Sequence, residues 1–398
     1  MITEEFKKYV ETINKKEVQD PLSVKPSIWS YPSWDYIEPK TRDGLLLEFL
    51  KSTLKRARNN VPLYRQSKNY SNPNFLNEIE KCDTIEEALQ HIPVLLKDSA
   101  KEGVGFRRFI RENPTVLKPD DIKVAIVYKS GGTKGVPTPT YITDWDLEVE
   151  SFALARCFRY GGFEKGDIIY NFYNPTHKGG REIEDAAKKL GMTVMTRRPE
   201  ENLEKCIELI KSYKTNAVAA VQPPLTETDV TKKGAGVTFL DIIGQDFRLF
   251  GKKNNDSIIK KAFITGYQIP QSIIDLAHDY EIDMFTTDGA SELIPIATSN
   301  IEKAGICKYN NQHLILGPHY TFIAKIEDDT IVPVREGEDG IVLHTTPVRE
   351  GTPYFNYAIG DKAKLITTKC ECGRTTPVIG NIRRIDRPDE ILGGCRYT

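Results

Sequence analysis

The chain has 398 residues, more than one hydrophobic core usually organises, so a large domain with subdomains or a pair of domains is expected. Its 55 basic and 56 acidic side chains nearly cancel, which argues against a nucleic-acid groove or a polybasic membrane surface and for a small-molecule substrate. No apolar run approaches a membrane span and the start, Met1-Ile2-Thr3-Glu4-Glu5, lacks a signal-peptide core. The expected location is therefore the cytoplasm, with reduced thiols or metal ligands rather than disulfides among the seven cysteines.

In chain order, Leu46, Phe49, Leu50, Leu54 and Ala57 recur at helical spacing and predict an amphipathic helix over residues 43–58, stopped by Pro62. A second helical stretch covers 84–91. A polar, proline-containing passage then runs to Asp121, so residues 1–120 read as a helical front piece. Residues 121–304 read as an α/β core, in which strands at 124–128, 167–172, 192–195 and 217–221 alternate with helices at 147–158, 181–190 and 203–213. That alternation means a parallel sheet flanked by crossover helices. From 305 to 385 short β-rich runs such as Gly340-Ile341-Val342-Leu343-His344 imply a small β subdomain.

Directly after the first of these strands comes Ser130-Gly131-Gly132-Thr133-Lys134-Gly135-Val136-Pro137-Thr138. Its glycines would let main-chain amides approach an anion while hydroxyls donate to it, and the same pattern also suits an ordinary surface turn. It matches neither a Walker A loop nor a G-x-G-x-x-G dinucleotide turn.

The loop resembles the Ser-Ser-Gly-Thr-Thr-Gly-x-Pro-Thr signature of the adenylate-forming superfamily, in its phenylacetate-CoA ligase and coenzyme F390 synthetase-like branch. The resemblance continues in order along the chain. Asn60-Val61-Pro62-Leu63-Tyr64-Arg65 is similar to that branch's Asn-Val-Pro-x-Tyr-Arg. Gly266-Tyr267-Gln268-Ile269-Pro270 looks like its Gly-Glu-Pro turn, with Tyr267 for the glutamate. Asp288-Gly289-Ala290-Ser291-Glu292 looks like Tyr-Gly-x-Ser/Thr-Glu, with Asp288 where an adenine-stacking tyrosine would sit. Arg349-Glu350-Gly351-Thr352-Pro353, Tyr357-Ala358-Ile359-Gly360-Asp361 and the hinge-like Asp386-Arg387-Pro388-Asp389 complete the series.

This resemblance implies the α/β fold of the large N-terminal domain of those enzymes and an AMP-forming acid–thiol ligase. ATP would adenylate an aryl or acyl carboxylate with release of pyrophosphate, and coenzyme A, as second substrate, would take the acyl group. Transfer to another acceptor (a cofactor phenol, an amine or a protein cysteine) and a nucleotide-binding protein without turnover are the alternatives. Ser130, Gly131, Gly132, Thr133, Lys134 and Gly135 would grip the triphosphate; Gly266, Asp288, Gly289 and Ser291 would line the nucleotide; Asp361 and Arg387 would bind the ribose. Glu292 would hold Mg²⁺, and Thr133, Lys134 and Glu292 would be the catalytic residues, since charge on the leaving pyrophosphate must be neutralised. Residues 386–398 would be the hinge, with the family's mobile C-terminal domain and its lysine absent. A homodimer is compatible with this reading, with no nucleic-acid or membrane partner. His177, in the loop after the second strand, would lie near the acyl pocket or be a structural histidine.

Lys369-Cys370-Glu371-Cys372-Gly373-Arg374 sets two thiols one residue apart, suited to one metal ion or to a reduced metal-free pair. By the same resemblance Cys307 and His313 would complete a structural Zn²⁺ site with Cys370 and Cys372, with His319 as the alternative to His313.

Overall fold

The computed structural model describes residues 33–97, 107–129, 137–223, 237–250, 258–265, 269–290, 292–300, 312–327 and 330–385. The chain divides into two compact units, and the boundary falls inside the helix Asp144–Tyr160. The first unit draws on residues 33–149 and 313–385, and the second on 150–300 and Gln312, among the described residues.

The second unit contains the α/β alternation expected from the sequence. Its parallel strands lie in the order Thr193–Thr196, Ile168–Asn171, Ala217–Val221, Lys261–Thr265 and Asp283–Ala290, and Leu293–Asn300 closes the series antiparallel to the last. Ala217–Val221 is buried at every position, as a central parallel strand covered on both faces must be, which explains its unbroken apolar run. The helices Lys178–Lys189, Leu203–Ser212, Phe239–Phe250 and Gln271–Asp279 supply the crossovers. Ile207, Ile210, Phe239, Ile242, Ile273 and Ala277 from these helices pack on Val218, Ala220, Ala262, Ile264 and Met284 from the strands.

Elements far apart in sequence build the first unit. The helix Pro39–Asn60 is amphipathic as its periodicity predicts, with Leu46, Phe49, Leu50, Leu54 and Ala57 buried. The helix Ile85–His91 begins at Thr84, whose hydroxyl accepts from the Glu87 N–H, a Ser/Thr-type N-cap. The β-rich C-terminal part is antiparallel: Tyr320–Glu327 pairs with Asp339–Thr345, which pairs with Asp361–Thr367, which pairs with Val378–Arg384. Val94, Leu96, Ala324, Ile331, Ile341, Leu343 and Ala358 form a core beneath it.

One expectation fails here. The run at 124–128 is not a buried strand of the parallel sheet: among the described residues Ile126–Lys129 pairs only with Pro139–Ile142, antiparallel, in a two-stranded sheet. Val127 is 43% exposed, because a two-stranded ribbon has one face to bury and alternate side chains must point away from it. An apolar run of five does not by itself distinguish these two settings.

Candidate active site

Lys129 lies opposite Pro139 across this ribbon, and the glycine-rich residues 130–136 connect the two strands. Ser130, Gly131, Gly132, Thr133, Lys134 and Gly135 lie outside the described residues, as do Gly266, Ser291, Cys307 and Arg387. The strand that leaves the loop is described, and it is held tightly. Thr138, Thr140 and Thr143 are buried. Thr352 donates its N–H to the Tyr141 carbonyl at 2.8 Å, and its hydroxyl accepts from the Tyr141 N–H at 2.9 Å. Gly351 passes so close that a Cβ there would fall 2.0 Å from the Tyr141 carbonyl oxygen, which only glycine permits.

Asp146 completes this clamp. Its carboxylate accepts from the N–H groups of Glu350 (2.8 Å), Gly351 (2.8 Å) and Thr143 (3.0 Å). The Asp146 N–H in turn donates to the Thr143 hydroxyl at 3.1 Å, the reciprocal pair of a capping box. The Arg349-Glu350-Gly351-Thr352 motif is thus the brace of the strand that leaves the glycine-rich loop. Arg56 donates to the carbonyls of Arg349 and Glu350 and ties the long N-terminal helix to the same turn. Thr143-x-x-Asp146 has the form of a helix start, but the bonds from Glu350 and Gly351 to Asp146 span about two hundred residues and no local pattern encodes them.

Asp361, also in this unit, opens the strand Asp361–Thr367 and accepts from Arg384 at 2.8 Å. In the second unit Asp288, Gly289 and Glu292 lie on one hairpin, formed by Asp283–Ala290 and Leu293–Asn300 with a register irregularity between Asp288 and Ala290. Glu292 is 1% exposed in the turn of that hairpin. Such burial costs a carboxylate its hydration unless protein groups or a metal ion replace it.

At the carboxyl end of the strand Ile168–Asn171, where open α/β sheets bind ligands, the connection to the next helix is stiff. Asn171 donates to the Gly180 carbonyl (3.0 Å) and accepts from the Tyr173 N–H (3.0 Å), and the Tyr173 hydroxyl donates to the carbonyls of Ala220 and Thr265. His177 caps the helix Lys178–Lys189, its Nδ1 accepting from the Gly179 N–H at 3.3 Å. Burial, then the neighbouring Lys178 charge, hold this imidazole below its ordinary range, so it is neutral at pH 7 with its proton on Nε2. Sequence reasoning missed what lies beneath: Lys178 Nζ meets Glu150 at 3.0 Å and Glu182 at 3.3 Å, all three side chains 1–4% exposed.

Of the expected metal ligands, the first unit brings His313, Cys370 and Cys372 together, their donor atoms all within 4.8 Å of one another. His319, though buried, is not among them. His313 Nε2 lies 3.7 Å from Cys372 Sγ, near the edge of about 3.6 Å that a tetrahedral ion with ordinary Zn–N and Zn–S bonds would require. His313 Nδ1 bonds the Thr376 hydroxyl at 3.4 Å, which turns Nε2 toward the thiols. Burial and then the Arg374 charge push His313 down to about 4. Burial alone would raise the Cys372 thiol, but the Arg374 N–H, the Cys370 thiol and the Arg374 guanidinium together hold it below the ordinary thiol range. A neutral imidazole and a thiol inclined to ionise are the donor forms a thiophilic divalent ion takes.

No family model matches the chain. The phenylacetate-coenzyme A ligase of Thermus thermophilus is 26% identical over 276 residues, 68% of this chain and 56% of that protein, so the chain spans little more than half of that relative's length. The phenylacetate-coenzyme A ligase of Aromatoleum evansii is 29% identical over 337 residues, 83% of this chain and 68% of that protein. Among solved structures, a 2-hydroxyisobutyryl-CoA ligase in an open conformation, in complex with 2-HIB-AMP and CoA, superposes with a TM-score of 0.70 at 15% identity, covering 88% of this chain and 76% of its own. The fold is shared with that CoA ligase. The sequence is similar to the phenylacetate-coenzyme A ligases, whose motifs it resembles in order.

Proposed function

We propose that the protein activates a carboxylic acid, aryl or acyl, with ATP. The carboxylate oxygen attacks the α-phosphorus, the bond to the β-phosphate oxygen breaks, pyrophosphate leaves, and acyl-AMP remains. The thiol of coenzyme A then attacks the acyl carbon and releases AMP. The observation that carries this reading is the similarity to phenylacetate-coenzyme A ligases over 83% of the chain, joined to the order in which the nucleotide motifs occur.

In this reading Ser130, Thr133 and Lys134 hold the β- and γ-phosphates, Ser291 the α-phosphate, and Asp361 and Arg387 the ribose. Glu292 would hold Mg²⁺, which supplies charge neutralisation on the phosphates; a carboxylate suits that hard cation. His313, Cys370 and Cys372, with Cys307, would hold a structural Zn²⁺, and the donor chemistry described above fits it. Cytoplasmic location and a homodimeric state belong to the same proposal; among the described residues no helix is long and apolar enough to cross a membrane.

Carboxylate-dependent exchange of labelled pyrophosphate into ATP, measured across a panel of aryl and aliphatic acids, tests the first step. Exchange is expected with at least one acid, and Glu292→Gln should lower it by about 10²-fold. AMP release that requires coenzyme A tests the second step. Exchange without such release would favour another acceptor. ATP binding with no exchange for any acid would favour the non-catalytic reading, to which Asp288 in place of an aromatic residue lends weight.

A further inference from the structure

We infer that a thiophilic divalent metal ion at His313, Cys370 and Cys372 is the clasp that fastens residues 33–42 onto the C-terminal part of the first unit. This rests on the metal reading above and adds a consequence to it. The ligand-bearing residues 370–376 lie between the strands Asp361–Thr367 and Val378–Arg384, and they have two working sides. Cys370 and Cys372 turn to His313. Arg374 and Thr375 turn to residues 33–42, and Thr376 to His313 itself.

Thr375 donates its N–H to the Asp35 carbonyl at 2.9 Å and its hydroxyl to the Ile37 carbonyl at 2.7 Å, and its own carbonyl accepts from Arg42 at 2.9 Å. The Arg374 guanidinium lies 5.4 Å from the centre of the Tyr36 ring and also donates to Cys372 Sγ at 3.7 Å. Thr376, the next residue, orients His313. The turn between the two sides is tight: Gly373 has φ +85° and donates its N–H to the Cys370 carbonyl at 3.1 Å.

The segment bearing His313 forms the other wall of the same seat. Leu314 donates its N–H to the Pro377 carbonyl at 2.9 Å, joining the two ligand-bearing stretches beside the thiols. Buried Trp34 packs on Gly317, where a Cβ would lie 2.5 Å from the indole. Residues 33–42 therefore rest on both pieces of chain that an ion at His313, Cys370 and Cys372 would bridge. Without the ion, the thiols offer only weak hydrogen bonds to hold those pieces in register. Metal–ligand bonds made in the folded protein and absent from the unfolded one add directly to the stability of the parts they join.

The test is hydrogen–deuterium exchange on the full chain, with metal content measured on the same sample. The protein should carry one equivalent of zinc. Removing it with a chelator should speed exchange at 33–42 and 370–376 by at least tenfold, leave Ala217–Val221 unchanged, and reverse when zinc is restored. Thr375→Val should keep the zinc yet show the same loss of protection at 33–42. Zinc that binds and departs without altering exchange at 33–42 would overturn the clasp while the metal site stood. Protein free of zinc that takes up none, with 33–42 fully protected, would overturn both.

Discussion

The two units bury charge in opposite ways. In the first, the Asp146 carboxylate is met by the main-chain N–H groups of Thr143, Glu350 and Gly351, oriented dipoles that carry no net charge. In the second, the Lys178 ammonium is met by the acidic side chains of Glu150 and Glu182. Burial raises the Glu182 carboxyl far above its ordinary range despite the pull of Lys178, and Glu150 pushes it the same way through charge and a shared hydrogen bond. The protonated form of Glu182 is thereby favoured beside Lys178 and Glu150. A main-chain cradle fixes a turn whose sequence must then obey backbone geometry; a side-chain trio fixes two helices and depends on its full complement of partners.

Removing one member of the trio should break that contrast most visibly. Lys178→Met removes the ammonium that faces buried Glu150 and should lower unfolding stability by about 3–5 kcal/mol in denaturant titration. Glu182→Gln preserves a neutral hydrogen-bonding group and should stay within about 1 kcal/mol of the parent. Equal losses for the two would show that the proton on Glu182 does not matter. On the main-chain side, Asp146→Ala strips three N–H groups of their acceptor and should cost about 3 kcal/mol. Gly351→Ala forces the braced strand away from the turn and should cost about 1–3 kcal/mol by the same titration, with the larger share of any activity loss appearing as weaker ATP binding.

A pH-dependent effect concerns a buried base in the first unit. His344 is enclosed, with Nδ1 bonded to the Thr321 hydroxyl at 3.0 Å, and burial pushes it down to about 3. Its folded form binds a proton less readily than the unfolded chain does. Its contribution to stability is thus complete above pH 6.5 and lost as pH falls toward 3, at no more than about 1.4 kcal/mol per pH unit. Melting temperatures measured from pH 7 to 4 should fall less steeply in His344→Gln than in the parent.

What could be read from the sequence follows the same division. Ala217–Val221 announced itself because a strand covered on both faces has one apolar pattern, whereas residues 124–128 showed a similar run in a two-stranded ribbon with an exposed face. The motif carrying Asp288 and Glu292 could be recognised, since its residues are adjacent in sequence, whereas the hairpin it lies on was not anticipated. His313, which only the resemblance pointed to, lies close to Cys370 and Cys372, a proximity no local pattern encodes. Asp146, Lys178 and their partners could not be found: each looks locally like a helix-start or surface residue, and only tertiary structure brings Glu350 to one and Glu150 to the other.

The acyl-adenylate is the centre of the proposed chemistry, and an oxygen label tests it most directly. With an accepted acid carrying ¹⁸O in its carboxylate, plus ATP and coenzyme A, attack on the α-phosphorus followed by thiol capture must leave one ¹⁸O in the AMP released. Mass spectrometry of that AMP should show the label in each turnover. AMP formed in step with thioester but free of ¹⁸O would contradict the account.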